Sequence, residues 1–195
     1  MKKIAIFASG SGTNAENIIK WFNNKTYLAE VAFVVTNNPK AGVINRCKRL
    51  SIPVFVINNV DFENGKSLIN FLKKNEIDWI VLAGFLRKIN PNLIDEFADR
   101  IINVHPALLP NYGGKGMYGH FVHEAVIKAK EKESGITIHF VNQNYDEGAI
   151  FFQAKCILAD GETADTLAAK IHSLEQAHFP KVLEQLLRKE SIVHA

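Results

Sequence analysis

The stretch KIAIFASGSGTN, residues 3–14, decides the fold class of this 195-residue chain. Residues 3–8 form a short apolar run, which is typical of a strand buried on both faces. Residues 9–14 supply the glycines and small polar side chains of a turn, and apolar residues then recur at helical spacing over 18–22. The stretch therefore predicts a strand, a glycine turn and a helix in that order.

The same alternation of strand and helix continues along the chain. Repeated βα units of this kind form a parallel sheet with a layer of helices on each face. We therefore expect the α/β class, with three layers and a mostly parallel twisted sheet of Rossmann-like form. The patterns predict strands at residues 31–35, 54–57, 79–82 and 101–104, and helices at 41–50, 66–74 and 91–98.

The second half of the chain departs from this pattern after residue 104. Residues 105–119 hold two prolines, four glycines and no apolar periodicity, which is typical of a loop that lines a site. Two alternating segments beyond this loop predict a β-hairpin or a crossover return. The elements expected here are a helix at 121–129, strands at 135–141 and 149–158, and a helix at 163–188 bent near Pro180.

Composition and charge narrow the class of protein. The chain is 47% hydrophobic and 22% charged, which is ordinary for a globular protein and predicts one domain over residues 1–195. A net charge of +3, with basic and acidic residues interspersed, argues against a nucleic-acid partner. No stretch approaches the roughly 20 apolar residues of a membrane span, and no signal peptide is evident. Cys47 and Cys156 form no paired motif, so we expect a cytoplasmic protein with free thiols.

The glycine turn predicts an anion site. Backbone N–H groups at a helix N-terminus attract phosphate, and residues 10–15 lie where the first helix begins. A tight turn without a ligand is the simpler alternative. The spacing also fits a dinucleotide fingerprint, but Thr36, Asn37 and Asn38 stand where that fingerprint needs an acid. A mononucleotide or ribose phosphate therefore fits better than a nicotinamide cofactor.

A second candidate site follows the strand at residues 101–104. Asn103 and His105 point the same way at the carboxyl end of this strand, where open α/β sheets bind ligands. An amide can donate to a developing oxyanion there, and an imidazole can act as an acid. Asp146 lies in a glycine-bearing turn after a strand whose inward residues can include His139. Taken alone, this aspartate is an ordinary solvated turn residue.

The run NVHPALLP at residues 103–110 resembles the signature of the folate-dependent formyltransferases. The resemblance extends over the whole chain, through the turn at 9–14, the AGFLR segment at 83–87 and Asp146. It implies transfer of the formyl group of 10-formyltetrahydrofolate to the primary amine of glycinamide ribonucleotide. We expect these two small molecules as partners, with the chain a monomer or a homodimer.

The resemblance also implies roles for individual residues. Asn103 and a protonated His105 would stabilise the oxygen of a tetrahedral intermediate, while Asp146 would raise the pKa of His105 and assist proton transfer. The remaining implied contacts are Gly12, Thr13 and Asn14 with the substrate phosphate, Glu175 with the ribose, and Leu86, Arg87 and Ile89 with the folate.

Some positions depart from the family pattern. Ala107 stands where serine is common, His172 stands where glutamine is expected, and the loop at 113–119 is slightly longer. We therefore leave His172 outside the predicted site. His120 and His123 share at most one helix face and lack a third ligand, so no metal is expected.

Other functions make different demands on the sequence. Transfer RNA formyltransferases share the strand-end signature but carry an additional C-terminal domain. Formyltetrahydrofolate hydrolases need the same three residues but usually carry an N-terminal regulatory domain, and we expect neither extra domain here. A non-catalytic nucleotide-binding module would have no use for Asn103, His105 and Asp146 together.

Overall fold

The computed structural model describes residues 1–58, 62–63 and 65–193, with side chains up to residue 189. Its strands are β1 (Lys2–Phe7), β2 (Ala29–Thr36), β3 (Val54–Val56), β4 (Trp79–Leu82), β5 (Ile101–His105), β6 (Glu133–Phe140) and β7 (Ile150–Ile157). Its helices are α1 (Thr13–Asn23), α2 (Gly42–Arg49), α3 (Lys66–Lys74), α4 (Pro91–Glu96), α5 (His120–Lys128) and α6 (Ala164–Val193).

The strands form one sheet in the order β3-β2-β1-β4-β5-β6-β7. Strands β1 to β5 pair in parallel, β6 is antiparallel to β5, and β7 is antiparallel to β6. The predicted α/β class with a mostly parallel sheet is confirmed, and the last two strands form a hairpin. The chain passes from β1 outward to β3 and then returns to β4 on the other side of β1. The carboxyl ends of β1 and β4 therefore form a topological switch point.

Side chains of the central strands alternate between two apolar layers. In β1, Ile4 and Ile6 belong to a cluster with side chains of α1, α2 and α6. Ala5 and Phe7 belong to a second cluster with side chains of α3 and α4. All four are fully buried, which is why this strand reads as a continuous apolar run.

Helix α6 is longer than the predicted helix at 163–188 and continues through Pro180. Phe179 is fully buried in the cluster shared with α1, and Asn17 Nδ2 donates to Gln176 O at 2.8 Å. One face of α6 is thereby held beside the turn where α1 begins. Neither α6 nor any other helix of the described residues is long and apolar enough to cross a membrane.

The hairpin of β6 and β7 differs in its bounds from the sequence prediction. Strand β6 begins two residues before the predicted start because Glu133 pairs with Ile157 at the end of β7. In the turn between the strands, a Cβ on Gly148 would collide with the carbonyl of Phe140, so only glycine fits. This tight turn carries Asp146 back toward the end of β5.

Candidate active site

A cavity of about 730 Å³ opens at the carboxyl ends of β1, β4 and β5. Its walls also include the segment before α5, the turn after β6 and one face of α6. Open α/β sheets bind ligands at a switch point of this kind. All the site residues predicted from the sequence line this cavity: Gly12, Thr13, Asn14, Leu86, Arg87, Ile89, Asn103, His105, Asp146 and Glu175.

Strands β5 and β6 place two buried imidazoles at one end of the sheet. Ile102 and Val104 belong to the apolar core, so Asn103 and His105 take the opposite face of β5. The antiparallel register puts His139 of β6 directly across from Asn103. His105 is 3% exposed and His139 is 2% exposed.

Asp146 lies between these two imidazoles. Its Oδ2 is 3.6 Å from His105 Nδ1, and its Oδ1 is 3.6 Å from His139 Nε2. The Gly114 N–H donates to Oδ2 at 3.0 Å. Burial raises the pKa of Asp146, but the two imidazoles and the Gly114 N–H outweigh it, so this pKa lies below the ordinary value of 3.8. The Asp146 side chain is only 14% exposed, so in the fold it is a mostly buried carboxylate and not a solvated turn residue.

The carbonyl of Tyr112 fixes the tautomer of His105. Nε2 lies 2.8 Å from Tyr112 O, and because a carbonyl only accepts, Nε2 carries the proton. Burial lowers the pKa of His105, and the opposing effects of Asp146 and the Tyr112 carbonyl do not restore it to 6.5. Burial therefore favours the neutral ring in the free protein, while Asp146 acts in the expected direction and favours the imidazolium. Nδ1 is the ring atom left to take up a proton.

His139 is a site residue that the sequence analysis did not commit to. Its Nδ1 lies 2.8 Å from the carbonyl of Phe140 and therefore carries a proton, which leaves Nε2 as an acceptor. Asn103 Nδ2 lies 3.0 Å from this Nε2, so the amide gives one N–H to His139 and keeps the second for a ligand. Strand alternation could have found His139, because it lies two residues after the inward-facing Thr137.

Thr137 and Gln153 hold the loop that follows β5. Thr137 Oγ1 donates to Ala107 O at 2.7 Å and accepts from Leu109 N at 2.9 Å. Gln153 Nε2 donates to Leu109 O at 3.0 Å and to Thr137 Oγ1 at 2.9 Å. These bonds set the path of the chain toward the Tyr112 carbonyl.

The turn after β1 has the form of an anion site. Gly12 has a φ of 78° and precedes α1, and no side chain caps this helix N-terminus. A Cβ on Gly12 would lie 2.8 Å from Val43 Cα, so glycine allows α2 to pack this closely. Glu16 N donates to Gly12 O at 2.9 Å, and the helix N–H groups ahead of Glu16 have no partner inside the helix.

The side chain of Asn14 faces α6 rather than the turn. Asn14 Nδ2 donates to Glu175 Oε2 at 2.8 Å, and Gln176 Nε2 donates to Asn14 Oδ1 at 2.7 Å. Only the backbone of Asn14 is therefore free to meet a phosphate. Burial raises the pKa of Glu175, although Asn14 and His172 oppose this effect. His172 Nδ1 lies 3.9 Å from Glu175 Oε2, so His172 belongs to the cavity wall despite its omission from the predicted site.

The loop after β4 carries the three residues that the sequence analysis predicts to contact the folate. Leu86 is 54% exposed and offers an apolar surface to the cavity, while Ile89 is 4% exposed and anchors the loop in the core. Arg87 Nη2 lies 2.8 Å from Glu63 Oε1, and Ser9 Oγ accepts from Leu86 N at 3.0 Å. In the described ranges, no three His, Cys, Asp or Glu side chains are grouped to hold a metal ion.

Comparison with known proteins defines the class of protein. The formyl transferase family matches residues 2–183, and the chain belongs to this family of folate-dependent enzymes. The resemblance inferred from the sequence is confirmed.

Individual relatives share one more specific name. The phosphoribosylglycinamide formyltransferase of Bacillus subtilis is 35% identical over 191 residues, which cover 96% of this chain and 95% of that protein. The enzyme of the same name from Haemophilus influenzae is 34% identical over 188 residues, which cover 94% of this chain and 86% of that protein. The crystal structure of phosphoribosylglycinamide formyltransferase from Bacillus halodurans is 37% identical, has a TM-score of 0.86 and covers 97% of each chain.

Replacing Asp146 by Asn should lower the pKa of His105 further, because the variant loses the charge that raises it. The direct measurement is an NMR titration of the His105 ring, with the exposed Asp160→Asn as the matched control. Burial holds the folded-state pKa of His105 below 6.5, so the neutral ring contributes fully to the free energy of unfolding above pH 6.5. This contribution is lost as the pH falls through the folded-state pKa of His105. The free energy of unfolding should therefore decline on acidification. An unchanged His105 titration in Asp146→Asn would contradict this electrostatic account.

Proposed function

We propose that this chain transfers the formyl group of 10-formyltetrahydrofolate to the primary amine of glycinamide ribonucleotide, a reaction of purine biosynthesis. The observation that most supports this proposal is that Asn103, His105 and Asp146 line the same cavity as the uncapped N-terminus of α1. Membership of the formyl transferase family supports the reaction type. The name shared by the two bacterial relatives supports the acceptor.

The turn after β1 and the facing part of α6 suit the ribonucleotide. The backbone N–H groups at Gly12, Thr13 and Asn14 would bind the phosphate, helped by the dipole of α1. Glu175 would accept hydrogen bonds from the ribose hydroxyls. Its hydrogen bond with Asn14 links the two contacts, so phosphate and ribose would be positioned together. A ribonucleotide held by its phosphate and ribose in this way would direct its amine toward Asn103.

The loop after β4 suits the formyl donor. The exposed side chain of Leu86 would pack against the flat pterin, while buried Ile89 keeps the loop in place. Arg87 would offer its guanidinium to polar edges or carboxylates of the folate, in exchange for part of its contact with Glu63. The folate would thus approach the strand end from the side opposite α6.

Asn103 would stabilise the oxygen of the tetrahedral intermediate. One N–H of its amide is held by His139, which fixes the orientation of the second N–H before the substrate arrives. A donor fixed in advance stabilises developing charge more than a mobile one, because it does not reorganise during the reaction. His139 is therefore a positioning residue for this donor.

His105 would carry the proton that the reaction moves. As the amine nitrogen bonds to the formyl carbon, its surplus proton would pass to His105 Nδ1, directly or through water. The resulting imidazolium would be stabilised by the Asp146 carboxylate, 3.6 Å away. The same proton would then pass to the folate nitrogen as its bond to the formyl carbon breaks. A neutral His105 at the start, as burial dictates, is the form that can accept this proton.

The proposal is tested by mixing the protein with 10-formyltetrahydrofolate, with and without glycinamide ribonucleotide, and following the deformylated folate. We expect product only when the amine is present, because the amine is the nucleophile. Product formed at the same rate without the amine would indicate a hydrolase and would contradict the proposal. Transfer to other small amines but not to this ribonucleotide would overturn the assigned acceptor.

Asn103→Ala should reduce turnover about a hundredfold or more, the usual cost of removing one oxyanion donor. The folded state should persist, because Asn103 is only partly buried and belongs to no apolar cluster. Turnover and thermal unfolding are measured together, with the exposed Asn24→Ala as the matched control. Turnover near that of the control protein would show that Asn103 does not stabilise the transition state.

A further inference from the structure

Helix α2 lies behind the turn that precedes α1 and has no role in the mechanism above. Every residue of α2 is described, and none of them lines the cavity, whereas residues 10–14 of the turn do. An added Cβ on Gly42, the first residue of α2, would lie 3.2 Å from Ser11 Cα. The helix therefore contacts the turn on the side that faces away from the cavity.

Two hydrogen bonds tie carbonyl groups of the turn to α2. Val43 N donates to Gly10 O at 3.1 Å. Arg46 Nε donates to Ser11 O at 2.8 Å, across 35 positions of the chain. A charged donor makes a stronger hydrogen bond to a carbonyl than a neutral donor does. Arg46 therefore fixes the direction of the Ser11 carbonyl.

The direction of the Ser11 carbonyl also sets that of the Gly12 N–H. The peptide bond between these residues is trans, and the carbonyl and N–H of a planar trans peptide point in opposite directions. Because the carbonyl points at α2, the N–H points away from α2 and toward the cavity. Within the described ranges this N–H has no hydrogen-bond partner. Backbone N–H groups in folded proteins are nearly always paired, so a ligand is the partner that this one lacks.

Glu16 holds Arg46 in place for this contact. It lies in the first turn of α1, and its Oε2 accepts a hydrogen bond from Arg46 Nη1. The side chains of Glu16 and Arg46 are 15% and 30% exposed, so the pair is partly shielded from water. The planar fork of a guanidinium lets Arg46 bond the carboxylate and the Ser11 carbonyl together.

The charge of Glu16 does not depend on Arg46 alone. Lys20 Nζ lies 2.7 Å from Glu16 Oε1, and Arg49 Nη2 lies 3.5 Å from Oε2. Hydrogen bonds from Lys20 and Arg46 lower the pKa of Glu16 to about 2, so this carboxylate is ionised at neutral pH. Without Arg46, the other two cations would still compensate the charge. The contact that Arg46 alone provides, among the described residues, is the one with Ser11 O.

We propose that Arg46 is a positioning residue for the phosphate of the ribonucleotide, because it holds the Ser11–Gly12 peptide with its N–H toward the ligand. Arg46 acts through this peptide and does not touch the phosphate. A donor fixed before the ligand arrives binds more tightly, since binding then does not have to order the turn. This inference rests on the proposed function for the identity of its ligand. The simpler alternative is an ion pair that only joins α1 to α2.

The first test needs no variant and uses ribose 5-phosphate, which carries the ribose and the phosphate of the substrate. An amide that donates to a phosphate forms a strong hydrogen bond, which moves its proton resonance downfield. NMR of the whole protein should show this shift for the Gly12 amide as the probe is added. In Arg46→Met the shift at saturation should be smaller, because the peptide is no longer held. An unmodified protein whose Gly12 amide does not respond would overturn the inference.

Calorimetry with the same probe measures the size of the effect. Affinity should fall about tenfold in Arg46→Met, whereas folic acid should bind as it does to the unmodified protein. Arg49→Met is the matched control, since Arg49 lies on the same helix and contacts Glu16 but not Ser11. This control should bind ribose 5-phosphate normally. Equal affinity of the two variants for the probe would overturn the positioning role, as would a parallel loss of folic acid binding in Arg46→Met.

Steady-state kinetics separate this inference from the proposed reaction. Arg46→Met should raise the KM for glycinamide ribonucleotide about tenfold with a far smaller change in kcat, because the contact is made equally in the ground state and the transition state. The binding measurements need no turnover. Absence of amine-dependent transfer, with probe binding that depends on Arg46, would reject the proposed reaction alone. Amine-dependent transfer with normal probe binding by Arg46→Met would reject the positioning role alone.

Discussion

The buried carboxylate of Asp146 between two imidazoles is the interaction on which the rest of the site depends. It lies 3.6 Å from one ring nitrogen of His105 and 3.6 Å from one of His139. The other nitrogen of each ring is hydrogen-bonded to a backbone carbonyl. The carboxylate therefore faces, on each ring, the nitrogen that has no backbone partner. A charge in such a place is tolerated because neighbouring groups, including the Gly114 N–H, satisfy it.

This arrangement explains why the surrounding loops need particular residues. Strand β5 brings His105, strand β6 brings His139, and the tight turn at Gly148 returns Asp146 to them. A Cβ on Gly113 would lie 3.2 Å from Asp146 Cβ, so a larger residue there would press on the carboxylate. The buried strands beneath are rigid because they are packed on both faces, which keeps these distances fixed.

The parts of the structure that depend on local patterns could be predicted from the sequence. The apolar run before the glycine turn predicts β1 and the start of α1, and alternation along β5 places Asn103 and His105 on one face. The parts that depend on distant contacts could not. Asn14 belongs to the turn by sequence, yet its side chain bonds to Glu175, 161 residues away. No local pattern encodes that contact.

The protonation state of His105 is a second feature that the sequence could predict only in part. The sign of the Asp146 effect follows from Coulomb attraction and could be predicted from two residues. The net direction could not, because it depends on how completely the loop and the β6–β7 turn bury the ring. At 3% exposure the desolvation of His105 exceeds the attraction of the carboxylate. The face on which His139 lies could be predicted from strand alternation, but its contact with Asn103 could not, since that contact depends on the register between β5 and β6.

In the free protein at neutral pH, we expect His105 to be neutral, with its proton on Nε2 and a bare Nδ1 facing Asp146. The decisive measurement is that of the ring nitrogen chemical shifts of His105 in the unmodified protein at this pH. These shifts should show one protonated nitrogen, Nε2, and one unprotonated nitrogen, Nδ1. A proton on Nδ1 at that pH, alone or together with one on Nε2, would contradict this expectation.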